Sequence, residues 1–190
     1  MTETSDHTAV DNITLAPALE RFVLHWGDMG SQWGVNRSVS QIHALLYLSE
    51  HPLTAEAIAD TLGLARSNVS TSIKELMSWN LIRRVPVRGD RRDHFEAEAD
   101  VWEMFIRIAS GRKEREIDPA IAALRQCLSA ADADPGISPL ARERLRTMLD
   151  FVGTMETWYA QMLTVPRSKL AAMIRLGARI VNFLPGGRKK

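Results

Sequence analysis

The strongest constraint on the fold is a pair of short helical patterns separated by one glycine. The apolar residues of 55–62 and of 65–79 recur every three or four positions, which is the spacing of one helix face. Gly63 stands between them where the chain must turn, and Thr54 and Asn80 are suited to begin the first helix and to end the second. Two short helices joined by a glycine-containing turn form a helix-turn-helix unit.

The periodicity changes directly after this unit. Apolar residues and arginines alternate over 81–87, "RGDRR" is typical of a turn, and a second strand is expected over 93–98. These features predict a β-hairpin with a basic tip, and Pro86 places its first strand at a sheet edge. A helix-turn-helix followed by a hairpin is a winged helix-turn-helix, whose second helix enters the major groove of DNA.

Helical patterns flank this unit on both sides. The sequence predicts a first helix from Pro17, a second one capped by Ser38, and further helices from Asp100 to the end of the chain. We therefore predict a mainly α-helical fold class with a small β-hairpin wing. The expected organisation is a flexible N-terminal arm over 1–16, a winged helix-turn-helix DNA-binding domain over 17–99, and a helical dimerisation region over 100–190.

The charge of the chain is concentrated in segments. The 190 residues carry 24 Lys and Arg against 23 Asp and Glu, which gives a net charge of +1. Residues 65–92 nevertheless hold seven basic and two acidic side chains, and 167–190 hold seven basic ones and no acid. A near-neutral chain with two basic segments favours a polyanionic partner that binds at defined places.

The second helix of the unit, 65–79, favours DNA as that partner. Its side chains opposite the apolar stripe are hydroxyls, an amide and cations, which can approach phosphates and base edges without charge repulsion. Arginine can pair with guanine and asparagine with adenine, while a wing over 81–98 would contact the backbone or the minor groove. The predicted DNA-binding residues are Arg66, Ser67, Asn68, Ser70, Thr71 and Lys74 on the helix, and Arg88, Arg91 and Arg92 on the wing.

The sequence shows no pattern of an enzyme. It holds no nucleophile motif, phosphate-binding loop, Cys/His cluster or carboxylate pair, so we expect no catalytic residues and no cofactor. His25 and Asp28 lie one helical turn apart, but two residues do not make a metal site, and we expect none. The single Cys127 excludes an intrachain disulfide. We expect it to be a small buried hydrophobic residue, with a redox sensor as the alternative.

Two stretches of the chain resemble a known family. "LGLARSNVSTSIKEL" and "NLIRRVPVRGDRRDHFEAE" are closely similar to the GbsR-like branch of the MarR family of bacterial transcriptional regulators, and the resemblance extends over about 20–131. It implies a homodimeric winged-helix regulator, usually a repressor, that binds an operator in double-stranded DNA and dimerises through its terminal helices. Two departures stand out: Ala65 replaces a capping Ser, and Ser40-Gln41 replaces a common Gly-Arg pair.

The aromatic residues outside the 65–79 helix suggest a ligand site. The GbsR-like branch includes members that sense choline, and quaternary ammonium ions bind over aromatic faces. We expect a pocket between the first helix and the residues after the wing. It would bind a small organic effector that lowers DNA affinity, and cationic ammonium compounds are among the candidates. Its predicted lining is Trp26, Met29, Trp33, Trp102, Phe105 and Ile106. The alternative is that these aromatic residues pack in the core and in an interface.

The basic amphipathic segment 168–184 leaves a second function open. Such a helix can bind anionic lipid, dock on a protein partner or lie along DNA, so a peripheral membrane or protein-partner module is the alternative function. The segments 140–164 and 168–184 together have a larger apolar helix surface than one small winged domain can cover. We therefore favour packing of this surface in a homodimer. With no bilayer-spanning apolar run and no signal peptide, we expect no membrane partner and a cytoplasmic location.

Overall fold

The computed structural model describes residues 14–177. The chain divides between Gly111 and Arg112 into two compact units, and each is described by itself. We predicted a boundary after residue 99, between a DNA-binding domain and a dimerisation region, and the division into compact units lies downstream of it. The predicted boundary separates functions, and it stays a prediction. The expected N-terminal arm lies almost entirely outside the described residues, as does the part of the 168–184 helix beyond Gly177.

The first unit begins with α1 (Pro17–Gln32) and α2 (Arg37–Leu48), which pack against each other. The prediction that Ser38 caps α2 was wrong. The helix starts two residues earlier than expected because Asn36 has the non-helical backbone of a cap, and its side-chain oxygen accepts the N–H of Ser38 at 2.9 Å.

Small residues let α1 and α2 approach closely. Gly27 and Gly30 are buried on α1. A Cβ atom at Gly30 would lie 2.0 Å from the Ser40 Oγ, and one at Gly27 would lie 2.6 Å from the Gln41 Cγ. Ser40 and Gln41 are both buried, so the pair that departs from the family pattern forms the α2 side of a tight helix–helix contact.

The helix-turn-helix has the predicted boundaries within one residue. Its elements are β1 (Leu53–Thr54), α3 (Ala55–Leu62) and α4 (Arg66–Ser78). The Thr54 hydroxyl accepts the N–H of Ala57 at 3.1 Å and caps α3. Gly63 has φ +62° and Asn80 has φ +54°, so both adopt the left-handed conformation expected at a helix end. We call α4 the recognition helix.

The wing belongs to a three-stranded antiparallel sheet. Strands β2 (Ile82–Val85) and β3 (His94–Ala97) form the predicted hairpin, and the strand order is β1-β3-β2. The prediction missed β1 because two residues are too few to show alternation. Strand β2 lies at an edge, as Pro86 indicated.

The core of the first unit is formed by side chains from α2, α3, α4 and the sheet. Its members include Ile42, Leu45, Ile58, Val69, Leu76 and Phe95. Each large apolar side chain buried in this way contributes about 1.5–3 kcal/mol relative to exposure. Met104, from α5 (Val101–Arg112), is part of the same cluster, so this helix packs on the winged core.

The second unit is mainly helical in the described residues. It contains a π-helical turn (Lys113–Ile117), α6 (Asp118–Ala133), α7 (Pro139–Thr164) and α8 (Arg167–Leu176). Ser138 caps α7 by accepting the N–H of Ala141 at 3.2 Å, as predicted. Arg142 binds the carbonyl oxygens of Ala131 and Asp134, each at 2.7 Å, and thereby ties the start of α7 to the end of α6.

Helix α7 leaves a long apolar face uncovered. None of its 26 residues is buried. The exposed apolar side chains on α7 are Leu140, Met148, Phe151, Met155, Trp158 and Leu163. A groove of about 540 Å³ between α6 and α7 is lined mainly by apolar side chains, and Cys127 lies at it.

The expectation that Cys127 is buried was wrong for the chain by itself. Its side chain is exposed, and it lies at the open groove between α6 and α7.

Candidate nucleic-acid interface

The recognition helix α4 has one buried and one exposed face. Val69, Ile73 and Leu76 are buried in the core. The opposite side exposes five of the six α4 residues that we predicted for DNA contact, and these are Arg66, Ser67, Ser70, Thr71 and Lys74. The exposed face therefore presents two cations and three hydroxyls to the solvent.

Asn68 is the sixth predicted residue, and the structure places it differently. It is half-buried, its Nδ2 donates to the Ser38 Oγ at 2.8 Å, and its Oδ1 accepts from the Ser72 hydroxyl at 3.3 Å. The amide thus connects the start of the recognition helix to the start of α2. The sequence did not reveal this contact because Ser38 and Asn68 lie 30 positions apart.

The N-terminus of the recognition helix has no side-chain cap. Ala65 occupies the capping position and makes no such hydrogen bond, as the departure from the family pattern predicted. The first N–H groups of α4 and the positive end of its dipole are therefore not neutralised by a cap from the chain.

The tip of the wing is braced from within. Gly89 has φ +88°, which a turn of this shape requires. The Asp90 carboxylate accepts from the Arg92 backbone N–H at 2.9 Å and from the Arg92 Nη2 at 2.7 Å. These bonds from Arg92 hold the pKa of Asp90 down to about 2. The guanidinium of Arg92 is consequently engaged in shaping the turn.

Some arginines of the wing form ion pairs within the chain, and two others are exposed for contact with a partner. Arg83 pairs with Glu96 at 2.6 Å and Arg84 pairs with Asp93 at 3.3 Å along the strands. Arg88 and Arg91 are exposed at the tip, and within residues 14–177 neither takes part in an ion pair. They are the wing cations best placed to meet phosphate.

The residues of the predicted effector pocket do not share a cavity described in the structure. Trp26 is half-buried and stacks on Phe22 with 5.4 Å between the ring centroids. Trp33 and Phe105 are 63% and 60% exposed, and the other predicted residues, Met29, Trp102 and Ile106, are half-buried. Three grooves in the described residues are lined by other side chains. The effector pocket stays a prediction.

Of the residues His25 and Asp28, which lie one helical turn apart, the carboxylate is engaged elsewhere. Asp28 forms an ion pair with Arg37 at 3.1 Å. In the described part of the chain no group of His, Cys, Asp and Glu side chains is arranged to hold a metal ion. In the same part no helix is long and apolar enough to cross a bilayer.

A helix-turn-helix with an exposed cationic face, followed by an antiparallel hairpin with a basic tip, defines a winged helix-turn-helix protein. Comparison with known families agrees with this class. Residues 33–93 match the family model described as MarR family. The chain thus carries a winged helix-turn-helix that is similar to that of the MarR family.

Known proteins extend the similarity beyond that segment. The HTH-type transcriptional repressor GbsR of Bacillus subtilis (strain 168) is 25% identical over 160 residues, which is 80% of this chain and 83% of the relative. The HTH-type transcriptional regulator MmpR5 of Mycobacterium tuberculosis (strain ATCC 25618 / H37Rv) is 27% identical over 154 residues, 80% of this chain and 88% of the relative. The similarity to GbsR confirms the predicted resemblance to the GbsR-like branch.

A solved structure described as a transcriptional regulator has the same fold. It superposes with a TM-score of 0.53 at 26% identity, and the match covers 77% of this chain and 96% of that chain.

Proposed function

We propose that this protein is a DNA-binding transcriptional regulator, in particular a repressor, that acts as a homodimer. The observation that carries the proposal is the exposed face of α4, which presents only cations and hydroxyls beside a wing whose tip holds Arg88 and Arg91. The recognition helix would enter the major groove, and the wing would contact the backbone or the minor groove. The names of the relatives, a transcriptional repressor and a transcriptional regulator, support the same function.

The exposed residues of α4 divide into two roles. Arg66 lies in the first turn of α4, and a bidentate pair with the O6 and N7 of guanine would give about 1–3 kcal/mol of discrimination against other bases. Ser67, Ser70 and Thr71 can donate to base edges or phosphate oxygens. Lys74, farther along the helix, is suited to phosphate.

The uncovered face of α7 supports the homodimer. A 26-residue helix without one buried residue is costly in water, and a second copy of the chain is the partner that a two-fold axis would bring to it. Two-fold symmetry would place the recognition helices about 34–36 Å apart, one turn of DNA. The expected operator is therefore a pseudo-palindrome in double-stranded DNA.

The proposal has two further parts, a location and an effector. We place the protein in the cytoplasm, where a regulator meets its DNA. We also propose that a small organic effector binds near the aromatic residues of α1 and α5. To release the operator, this effector must bind the DNA-free form of the protein better than the DNA-bound form. Thermal-shift and DNA-titration screens with choline, betaine and related ammonium compounds test for it.

Helix α8 is the basis of the alternative function. It exposes Ile174 and Leu176 beside basic residues, which suits a subunit contact as well as a lipid surface or another protein. Co-sedimentation with anionic vesicles tests the lipid surface, because a contact with a subunit or with another protein predicts no binding to lipid.

Selection of binding sites from a random DNA pool by the purified full-length protein tests the main proposal. We expect enrichment of a pseudo-palindrome whose half-sites are one helical turn apart. Arg66→Ala should relax the preference at one base pair per half-site, whereas Lys74→Ala should weaken binding to selected and random DNA alike. Failure to enrich any sequence, with equal weak binding to every pool, would overturn sequence-specific recognition.

A further inference from the structure

Arg107, on α5, binds three parts of the first unit at once. Its Nη1 donates to the backbone carbonyl of Asn80, its Nη2 pairs with the Glu98 carboxylate at 2.9 Å, and its Nε pairs with the Glu103 carboxylate at 3.1 Å. Glu103 lies on the same helix, four residues earlier. The other two partners lie on different elements, so the guanidinium bridges α5 to both of them.

The two outside partners lie at the ends of the DNA-facing elements. Asn80 is the left-handed residue that directs the chain from the recognition helix into β2. Glu98 follows the last residue of β3, and its N–H donates to the carbonyl of Leu81 at 2.9 Å. A planar guanidinium that binds both groups fixes the end of the recognition helix relative to the base of the wing.

A second contact joins the same two helices. A Cβ atom at Gly111 would lie 2.6 Å from the Trp79 ring, so the α5 backbone passes directly against the indole at the end of α4. Gly111 follows Arg107 by one helical turn on α5. The end of the recognition helix is thus held to α5 at two successive turns, by charge at Arg107 and by close packing at Gly111.

We propose that Arg107 is a positioning residue that sets the angle of the recognition helix relative to the wing and couples both to α5. The consequence for DNA binding rests on the proposed function. A displacement of α5 must break the bond to the Asn80 carbonyl or carry the end of α4 with it. A change in α5 is therefore passed to the DNA-facing elements without altering any residue that touches DNA.

Amide hydrogen exchange of the full-length protein tests the structural part without DNA. The reporters are the N–H of Leu81, which donates to the Leu76 carbonyl at 3.0 Å, and the N–H of Glu98. Arg107→Met and Arg107→Lys should both speed exchange at these two amides about ten-fold. Methionine makes none of the charge-assisted hydrogen bonds of the guanidinium, and the ammonium of lysine cannot bind the Asn80 carbonyl and the Glu98 carboxylate in the same planar geometry. Glu98→Gln should have a similar effect.

The matched control is Glu103→Gln, which removes the partner within α5 and leaves the bonds to other elements. It should leave exchange at Leu81 and Glu98 within two-fold of the unsubstituted protein. Unchanged exchange in Arg107→Met, or equal effects of Glu103→Gln and Glu98→Gln, would overturn the proposal. If Arg107→Met does not fold, the comparison of Arg107→Lys with Glu103→Gln decides in the same way.

DNA titration with the selected site tests the functional part. Arg107→Met and Glu98→Gln should each lower affinity about ten-fold, and their combination should lower it no further than Arg107→Met alone, because Arg107→Met already removes the ion pair to Glu98. Faster exchange with unchanged DNA affinity would overturn the positioning role. If the unsubstituted protein selects no DNA, the proposed function fails, while hydrogen exchange still decides whether Arg107 fixes the two elements.

Discussion

At the scale of single residues, His43 links folding to pH. Its imidazole, on α2, is 5% exposed, and burial lowers its pKa from 6.5 to about 4. The folded chain keeps this group neutral down to about pH 4, whereas the unfolded chain takes up a proton near pH 6.5. The unfolded state therefore binds more protons between these values, and the free energy of unfolding falls as pH drops through that window.

We expect His43 to remove about 3 kcal/mol of stability between pH 6.5 and 4, at about 1.4 kcal/mol per pH unit, and to have no effect above pH 6.5. Urea denaturation across this range measures the slope. His43→Gln should flatten it, whatever the stability of that variant at neutral pH, and His51→Gln, at an exposed position, should keep it. A slope shared by all three proteins would contradict the assignment.

Asn68 gives a second prediction at this scale. Because its amide bonds Ser38 and Ser72, Asn68→Ala should misplace the start of the recognition helix and weaken binding to every sequence, by about 1 kcal/mol per hydrogen bond lost. Ser38→Ala should reproduce part of this effect without removing any residue from the DNA-facing side. Measured base preferences decide the matter: a relaxed preference at a single base pair in Asn68→Ala would show instead that this amide reads adenine.

At the scale of elements, the wing predicts a specific salt dependence. Arg88→Ala and Arg91→Ala should each reduce the slope of log affinity against log salt by about 0.9, the value for one phosphate contact. Arg92→Ala should leave that slope nearly unchanged, because its guanidinium is held by Asp90. Titrations of random-sequence DNA at several salt concentrations measure this. Equal slopes in all three variants and the unsubstituted protein would mean that the wing does not contact DNA.

The elements also show how far the sequence predicts this fold. The apolar stripe through Val69, Ile73 and Leu76 was enough to predict α4, because burial on one face imposes the helical period. Strand β1 has two residues and leaves no period to detect. The bridge of Arg107 was equally invisible, because its partners at Asn80 and Glu98 come close only after the hairpin has formed. Local patterns predict elements, whereas contacts between elements need the fold.

At the scale of the whole molecule, the uncovered face of α7 predicts the assembly. Phe151→Lys places a charge on that face and should shift the protein to monomer, raising the dimer dissociation constant at least ten-fold, because an unpaired buried charge is costly. Thr157→Lys adds the same charge on another, exposed side of α7 and should leave the dimer intact. Sedimentation velocity at several concentrations distinguishes them, and an unsubstituted protein that is monomeric at micromolar concentration would refute the dimer.

The close contact of α1 with α2 has a genetic consequence. Every residue other than glycine carries a Cβ atom, so any missense change at Gly30 would place that atom 2.0 Å from the Ser40 hydroxyl oxygen. Such crowding displaces the helices at a cost of about 1–3 kcal/mol or more. A screen for mutants that have lost repression should therefore recover alleles at Gly27 and Gly30 alongside alleles of the DNA-facing residues, although neither glycine has a side chain to offer DNA.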